Sequence, residues 1–427
     1  MAELTLTDGA VHIALTGPER AWTLRRSDFA IPTAALRSVR AVPDAAATSR
    51  VLRTPGVPAV RRVGTWRSGG RRSFVSIATH QPAVMLRMGI GSPFDTILIG
   101  SDRADDIADE LLAALPPTRR DVPIVLDPAA DALRGSLRLP GDGPQPAALL
   151  LPGSGPIDRD GDAPGSPLGI QLALAEALAG AGIASLRYDR RGIGDDLDWR
   201  SVGLHENTAD AALALRSLAA HPEVDARRII VIGHSEGALH ALRLAVSAAP
   251  PAAAVLLSAP ARPGSEVLAW QAEQLEPGLP KPVRAVLRVT RTDLAAKTRA
   301  SHDKLRATST DIARINGARV NAKWFREFLD DDPREDLARL AVPTLALTGT
   351  ADLQTPPDDL AVIAELAPGP VDLQQPEGVT HLLRRDPAEV PTLQDYKRQL
   401  RQPVDEQVLR SVTAWAAGQV TRGGDAG

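Results

Sequence analysis

Three residues that can do acyl-transfer chemistry stand in the order serine, aspartate, histidine, each just past a β-type run. Gly233-His234-Ser235-Glu236-Gly237 follows Ile229-Ile230-Val231-Ile232 directly and precedes a helical run of small and aliphatic residues. A strand that turns straight into a helix forces its central residue into a strained backbone conformation, and only small neighbours avoid clashes there. Ser235 Oγ is therefore expected to stand exposed above the sheet edge, with the Glu236 amide at the new helix N-terminus offered to a developing oxyanion. A serine hydroxyl is a poor nucleophile at neutral pH and needs a base held in place by an acid. After the run Pro343 to Thr348, Gly349-Thr350-Ala351-Asp352 puts Asp352 in a strand-end loop. After the short run Val371 to Gln374, Gly378-Val379-Thr380-His381 delivers an imidazole to the same edge. His234, inside the elbow, is expected to pack and hydrogen-bond as a neighbour and not to act as the base.

A tetrahedral intermediate needs a second hydrogen-bond donor. Leu149-Leu150-Leu151-Pro152-Gly153-Ser154-Gly155 leaves the first core strand in a glycine-rich loop, and the Ser154 amide is the candidate. The next residues, Ile157-Asp158-Arg159-Asp160-Gly161-Asp162, put charge near the site mouth, either as a solvated loop or as a substrate contact. A further strand ends in Tyr188-Asp189-Arg190-Arg191-Gly192-Ile193-Gly194, which lacks the G-x-G-x-x-G pattern of dinucleotide sites.

Composition narrows the classes. The 427 residues carry a net charge of -3, which argues against nucleic-acid binding through bulk positive charge. There are no cysteines, so disulfides, thiolate metal sites and a cysteine nucleophile are excluded, and a metal would have to be held by His and carboxylates. No cofactor or metal is expected. The start, MAELTLTDGA, lacks a basic and an apolar region, and no apolar run approaches the roughly 18 residues of a transmembrane helix; a cytoplasmic protein is the expectation.

The elements that must position these residues change character along the chain. Residues 1–116 hold short runs such as Val11 to Leu15, Arg72 to Ile77 and Val84 to Met88, expected to form an antiparallel sheet. A helix from Ser101 to Leu115, capped by Ser101 or Asp102, would close it. This layout resembles the bacterial pleckstrin-homology-like fold. Pro116 to Arg120 reads as a linker. From 121 to 427, β-type runs (Ala147 to Leu151, Ile183 to Arg187, Ile229 to Ile232, Ala254 to Leu257, Thr344 to Leu347) alternate with helical segments. That alternation implies an α/β architecture with a mostly parallel sheet covered on both faces. Residues 261–338 interrupt it with helical, charge-rich sequence, expected as a cap in which Trp324, Phe325 and Phe328 share one face.

The motifs LPGSGPIDRDGD, YDRRGIG, GHSEG, GTADLQTPP and GVTH together resemble the α/β-hydrolase superfamily. The likeness is to bacterial serine hydrolases related to dienelactone hydrolases, prolyl oligopeptidases and serine aminopeptidases. Pro152 stands where many such enzymes carry His, which leaves the backbone donors intact. The resemblance implies Ser235 as nucleophile, His381 as base, Asp352 as its orienting acid, and the Ser154 and Glu236 amides as oxyanion hole. It implies hydrolysis of a small-molecule carboxylic ester, with a peptidase or acyl-amide hydrolase as the alternative and a non-catalytic adaptor as the rival from another class. Between Arg50 and Arg87 the chain carries eight arginines and no acidic residue, a candidate contact for anionic lipid or an acidic partner.

Overall fold

The protein is described by a computed structural model over residues 2–23, 27–44, 61–68, 71–89, 92–115, 120–127, 132–164, 166–193, 197–275, 294–315, 317–386, 392 and 395–422. Its main sheet contains β1 (Asp121–Asp127), β2 (Ala132–Arg138), β3 (Gln145–Leu151), β4 (Ala184–Tyr188), β5 (Val224–His234), β6 (Ala253–Leu257), β7 (Thr344–Leu347) and β8 (Val371–Gln374). They lie side by side in the order β8-β7-β6-β5-β3-β4-β2-β1. All pairings are parallel except those that β2 makes with β4 and β1. The expected α/β sheet is thus present, and the antiparallel pair β1 and β2 extends it beyond the runs that the sequence marks.

The central strands are apolar without alternation because both faces are covered. Leu149, Leu151, Val231 and Leu256 pack against the helices Leu204–Ala219 and Glu236–Ala245, while Leu150, Ile230, Ile232 and Val255 pack against Ile170–Gly180 and Glu406–Arg422. Successive residues therefore feed opposite clusters, the period of two that a strand imposes. At the carboxyl edge, β5 runs into the Ser235 turn, β7 into the Asp352 loop and β8 into the His381 loop, the side where open parallel sheets bind ligands.

Between β6 and β7 the interruption holds the helices Gly264–Leu275, Leu294–Arg306 and Ala322–Asp330, with residues 276–293 of the expected cap outside the described residues. It also holds a hairpin, Ile312–Ile315 with Ala318–Asn321, where helix alone was expected. Gly317, at φ 83°, supplies the left-handed turn that closes it.

The N-terminal region forms a three-stranded sheet (Glu3–Thr7, Ala10–Ala14, Phe29–Pro32) and a five-stranded one. The latter corrects the all-antiparallel expectation. Thr96–Gly100 inserts between Ala83–Met88 and Arg71–Ala78, antiparallel to the first and parallel to the second. Ile97 and Ile99 face one core cluster and Leu98 the other, so this strand is buried on both faces and takes a central place. The closing helix spans Ala104–Ala113, with Arg103 at its cap position and no side-chain cap. Ser101 instead accepts the Arg103 amide in the turn ahead of it, at 3.2 Å. The expected linker residues 116–119 lie outside the described residues.

The two regions meet through buried charge. Arg40 reaches Asp158 at 3.0 Å and Asp189 at 3.4 Å, and Arg87 reaches Asp162 at 2.9 Å and Asp158 at 3.1 Å. Arg187 of β4 adds contacts to Asp160 and Asp121. The acidic loop after the oxyanion candidate is therefore neither solvated nor turned to substrate, because its carboxylates are held by arginines on their buried side. Of the arginine-rich stretch, Arg50 and Arg53 lie outside the described residues, Arg61 pairs with Glu19 at 3.4 Å, and Arg87 spends its charge on this chain's own loop. Removing one member of such a buried set leaves charges uncompensated, typically at about 3 kcal/mol or more. Arg87→Met is expected to lower unfolding free energy by about 3 kcal/mol in urea titrations. Arg103→Met, whose partners are largely exposed, should lower it by less than about 1 kcal/mol.

Candidate active site

The elbow is built by close approach. A Cβ on Gly233 would sit 2.0 Å from the Gly237 carbonyl oxygen, and one on Gly237 would sit 2.2 Å from that of Leu151, so both positions admit only glycine. Between them Ser235 takes φ 58° and ψ −121°, a conformation that costs a non-glycine residue on the order of 1–3 kcal/mol. Its amide donates to the Leu257 carbonyl at 2.9 Å, which ties the turn to the end of β6.

His381 Nδ1 hydrogen-bonds the Asp352 carboxylate at 2.9 and 3.0 Å. That contact leaves Nε2 as the ring atom for proton exchange. Asp352 is buried and also accepts the amides of Gln354 and Thr355 at 2.8 and 2.9 Å. Burial alone would raise its pKa, but the charge and hydrogen bond of His381 with the Gln354 amide outweigh it and hold the carboxyl below its ordinary range. The Asp352 and His381 loops are also stitched together: the Ala351 amide donates to the Val379 carbonyl at 3.1 Å, and Gly349 is needed because a Cβ there would meet the same oxygen at 2.0 Å. Among the described residues, Ser235 Oγ and His381 Nε2 are not hydrogen-bonded, whereas Asp352 and His381 are.

The oxyanion loop lies against the elbow, since a Cβ on Gly153 would come 3.3 Å from Ser235 Cβ. Ser154 and Gly155 line a cavity of about 300 Å³ together with Trp324 and Phe325 of the insert. Phe328 departs from the expected shared face. It stacks on Trp324 at 4.7 Å and is buried with Leu204, Leu239 and Val267, so it anchors the cap to the core and does not line the cavity. His234 donates from Nε2 to the His381 carbonyl at 2.8 Å, and burial, followed by the charge of His381, pushes its pKa down to about 3. It is a neutral neighbour, as the sequence implied.

Sequence reasoning missed the side chain of Glu236. Its backbone opens the helix, but its carboxylate is buried and joined to Arg190 (2.5 Å), His240 (3.0 Å), Asn207 (3.3 Å) and the Trp324 indole N–H (2.8 Å). Arg190 also donates to the Gly153 carbonyl. One carboxylate thus links the helix after Ser235, the glycine-rich loop after β3 through Arg190, the helix Leu204–Ala219 and the insert. A second missed residue is Arg384, buried, which donates to the carbonyls of Leu382 and Gln402 at 2.7 and 2.9 Å and fixes the His381 loop. The only signal for either was an ionisable residue beside a catalytic motif. Among the described residues no group of three or more His, Asp or Glu is placed to hold a metal, and no helix is long and apolar enough to cross a membrane.

The sheet order, the strained serine turn and the helical insert after β6 define an α/β-hydrolase. A family profile described as serine aminopeptidase, S33, matches residues 168–388, and the chain belongs to that family. The match contains Ser235, Asp352 and His381 but begins after Ser154. The curated esterase EstD of Thermotoga maritima is 28% identical over 273 residues, 61% of this chain and 62% of that protein, so the alignment spans less than two thirds of EstD. Among solved structures, Est1E from Butyrivibrio proteoclasticus superposes with a TM-score of 0.45 at 18% identity, covering 68% of this chain and 95% of that one. Proline iminopeptidase of Mycobacterium smegmatis gives 0.46 at 14%, covering 71% and 99%.

Burial raises the Glu236 pKa and Arg190 and His240 lower it, with a net fall from 4.5 to about 2. A depressed carboxyl stabilises the fold above its unfolded value and ceases to do so as pH falls through the folded one. Glu236→Gln should therefore cost about 2 kcal/mol or more at pH 7, and the loss should shrink as pH falls from 4.5 towards 2 in denaturation series.

Proposed function

We propose that the chain is a serine hydrolase acting on a carboxylic ester. Ser235 attacks the acyl carbonyl, His381 Nε2 takes its proton and returns it to the leaving alcohol, and Asp352 orients the imidazole and stabilises its charged form. The Ser154 and Glu236 amides hold the oxyanion, and water then releases the acyl group by the same path in reverse. The observation that carries the reading is the Asp352–His381 hydrogen bond at the sheet edge onto which the strained Ser235 turn opens. The EstD likeness supports ester chemistry. The family description names an aminopeptidase, and recognition of a free α-ammonium group calls for a carboxylate in the pocket. Among the described residues the cavity is lined by Arg190, Arg191, Arg200 and Arg319 and by no acidic side chain, which favours the ester.

Wild-type protein is expected to label with a fluorophosphonate and to hydrolyse p-nitrophenyl acyl esters, with both activities lost in Ser235→Ala at an unchanged far-UV CD spectrum. Asp352→Asn should lower kcat by about 10⁴-fold, and Asp189→Asn by much less in a folded protein. Higher kcat/KM on aminoacyl or prolyl p-nitroanilides would move the assignment to the peptidase.

A further inference from the structure

The cavity lining includes two arginines that share a single carboxylate. They are Arg200 and Arg319, and both pair with one acid, Asp198, at 3.1 and 3.2 Å. Arg319 also faces Arg314 as its direct cross-strand partner on the cap hairpin, a juxtaposition of like charges that disfavours pairing unless an anion lies nearby. Asp198 is held in place: it caps the short turn Trp199–Ser201 by accepting the Arg200 amide, so it does not swing to serve the guanidiniums in turn. Arg200 is stacked on the Trp199 indole, 4.7 Å from its centre, which fixes the guanidinium plane and leaves its edge for a planar oxyanion. The same cavity is lined by Ser154 and Gly155 and by Trp199, Val320, Trp324 and Phe325, which give it apolar wall.

We infer that Arg200 and Arg319 bind a carboxylate at the distal end of the substrate, so that the preferred ester carries an anionic group on one of its two halves with an apolar stem between it and the scissile bond. A carboxylate there turns two guanidiniums per acid into a matched set. The inference rests on the ester hydrolase reading, and the test separates the two.

Mono-p-nitrophenyl glutarate and p-nitrophenyl valerate share a five-carbon acyl chain and differ in the terminal carboxylate. 4-Butanoyloxybenzoate and phenyl butanoate place the same difference on the alcohol half. In the wild-type protein, the charged member of at least one pair should have a kcat/KM at least tenfold above its neutral mate, and which pair does so tells where the carboxylate sits. In Arg200→Gln/Arg319→Gln with a native CD spectrum, that ratio should fall to near one, and Arg319→Lys should retain part of it. Ratios near one in the wild type, or a ratio unchanged in the double variant, overturn the inference while leaving the hydrolase reading intact. If no ester is cleaved, the hydrolase reading fails, and binding decides the inference. Glutaranilate should then quench tryptophan fluorescence of Ser235→Ala protein with a Kd at least tenfold below that for valeranilide. Equal affinities would overturn the carboxylate site on their own.

Discussion

A buried carboxylate that must be fully paired governs the geometry of this site. Glu236 follows Ser235 directly, so the partners that hold its side chain also restrain the serine turn. An unpaired charge at that depth would cost several kcal/mol, and the structure meets the demand with donors from four different places: Arg190, Asn207, His240 and the Trp324 indole. Because Arg190 also holds the Gly153 carbonyl, the glycine-rich loop after β3 and the serine turn are referenced to the same group. The cap is included through Trp324, whose ring stacks on the buried Phe328.

The parts of the fold that the sequence announces are those fixed by local rules. Strands β3 and β5 read as apolar runs because both faces are buried, and the serine turn reads as G-x-S-x-G because two backbone approaches leave no room for a Cβ. The pairing of Asp352 with His381 is legible from their order and their strand-end loops. What could not be read depends on partners distant in the chain. Arg87 and Asp162 are 75 positions apart, and nothing near either says that they meet. The acidic loop looked like solvent or substrate contact for that reason. Likewise the parallel placement of Thr96–Gly100 is a choice among pairings that all satisfy the same alternation, settled only when a strand buried on both faces takes the middle.

The cap shows the same division of labour at a smaller scale. One helix turn separates Trp324 from Phe328, yet one ring lines the cavity and the other is sealed in the core. A helical face wide enough to do both is read from sequence as a single apolar stripe. The hairpin beside it brings Arg319 into the cavity lining where the stripe suggests only grease.

The ionic joint between Arg40, Arg87 and the loop Asp158 to Asp162 also bears on how such a chain can diversify. Lobes joined by a greasy patch can be exchanged in recombination with little more than a change in packing. Here an incoming N-terminal lobe without two arginines at these positions would strand several carboxylates a few residues from the oxyanion loop, and an incoming catalytic lobe without the acids would strand the arginines. Exchange of either half alone would leave buried charge without a partner, so loss of one side should be accompanied by neutralising replacements in the other.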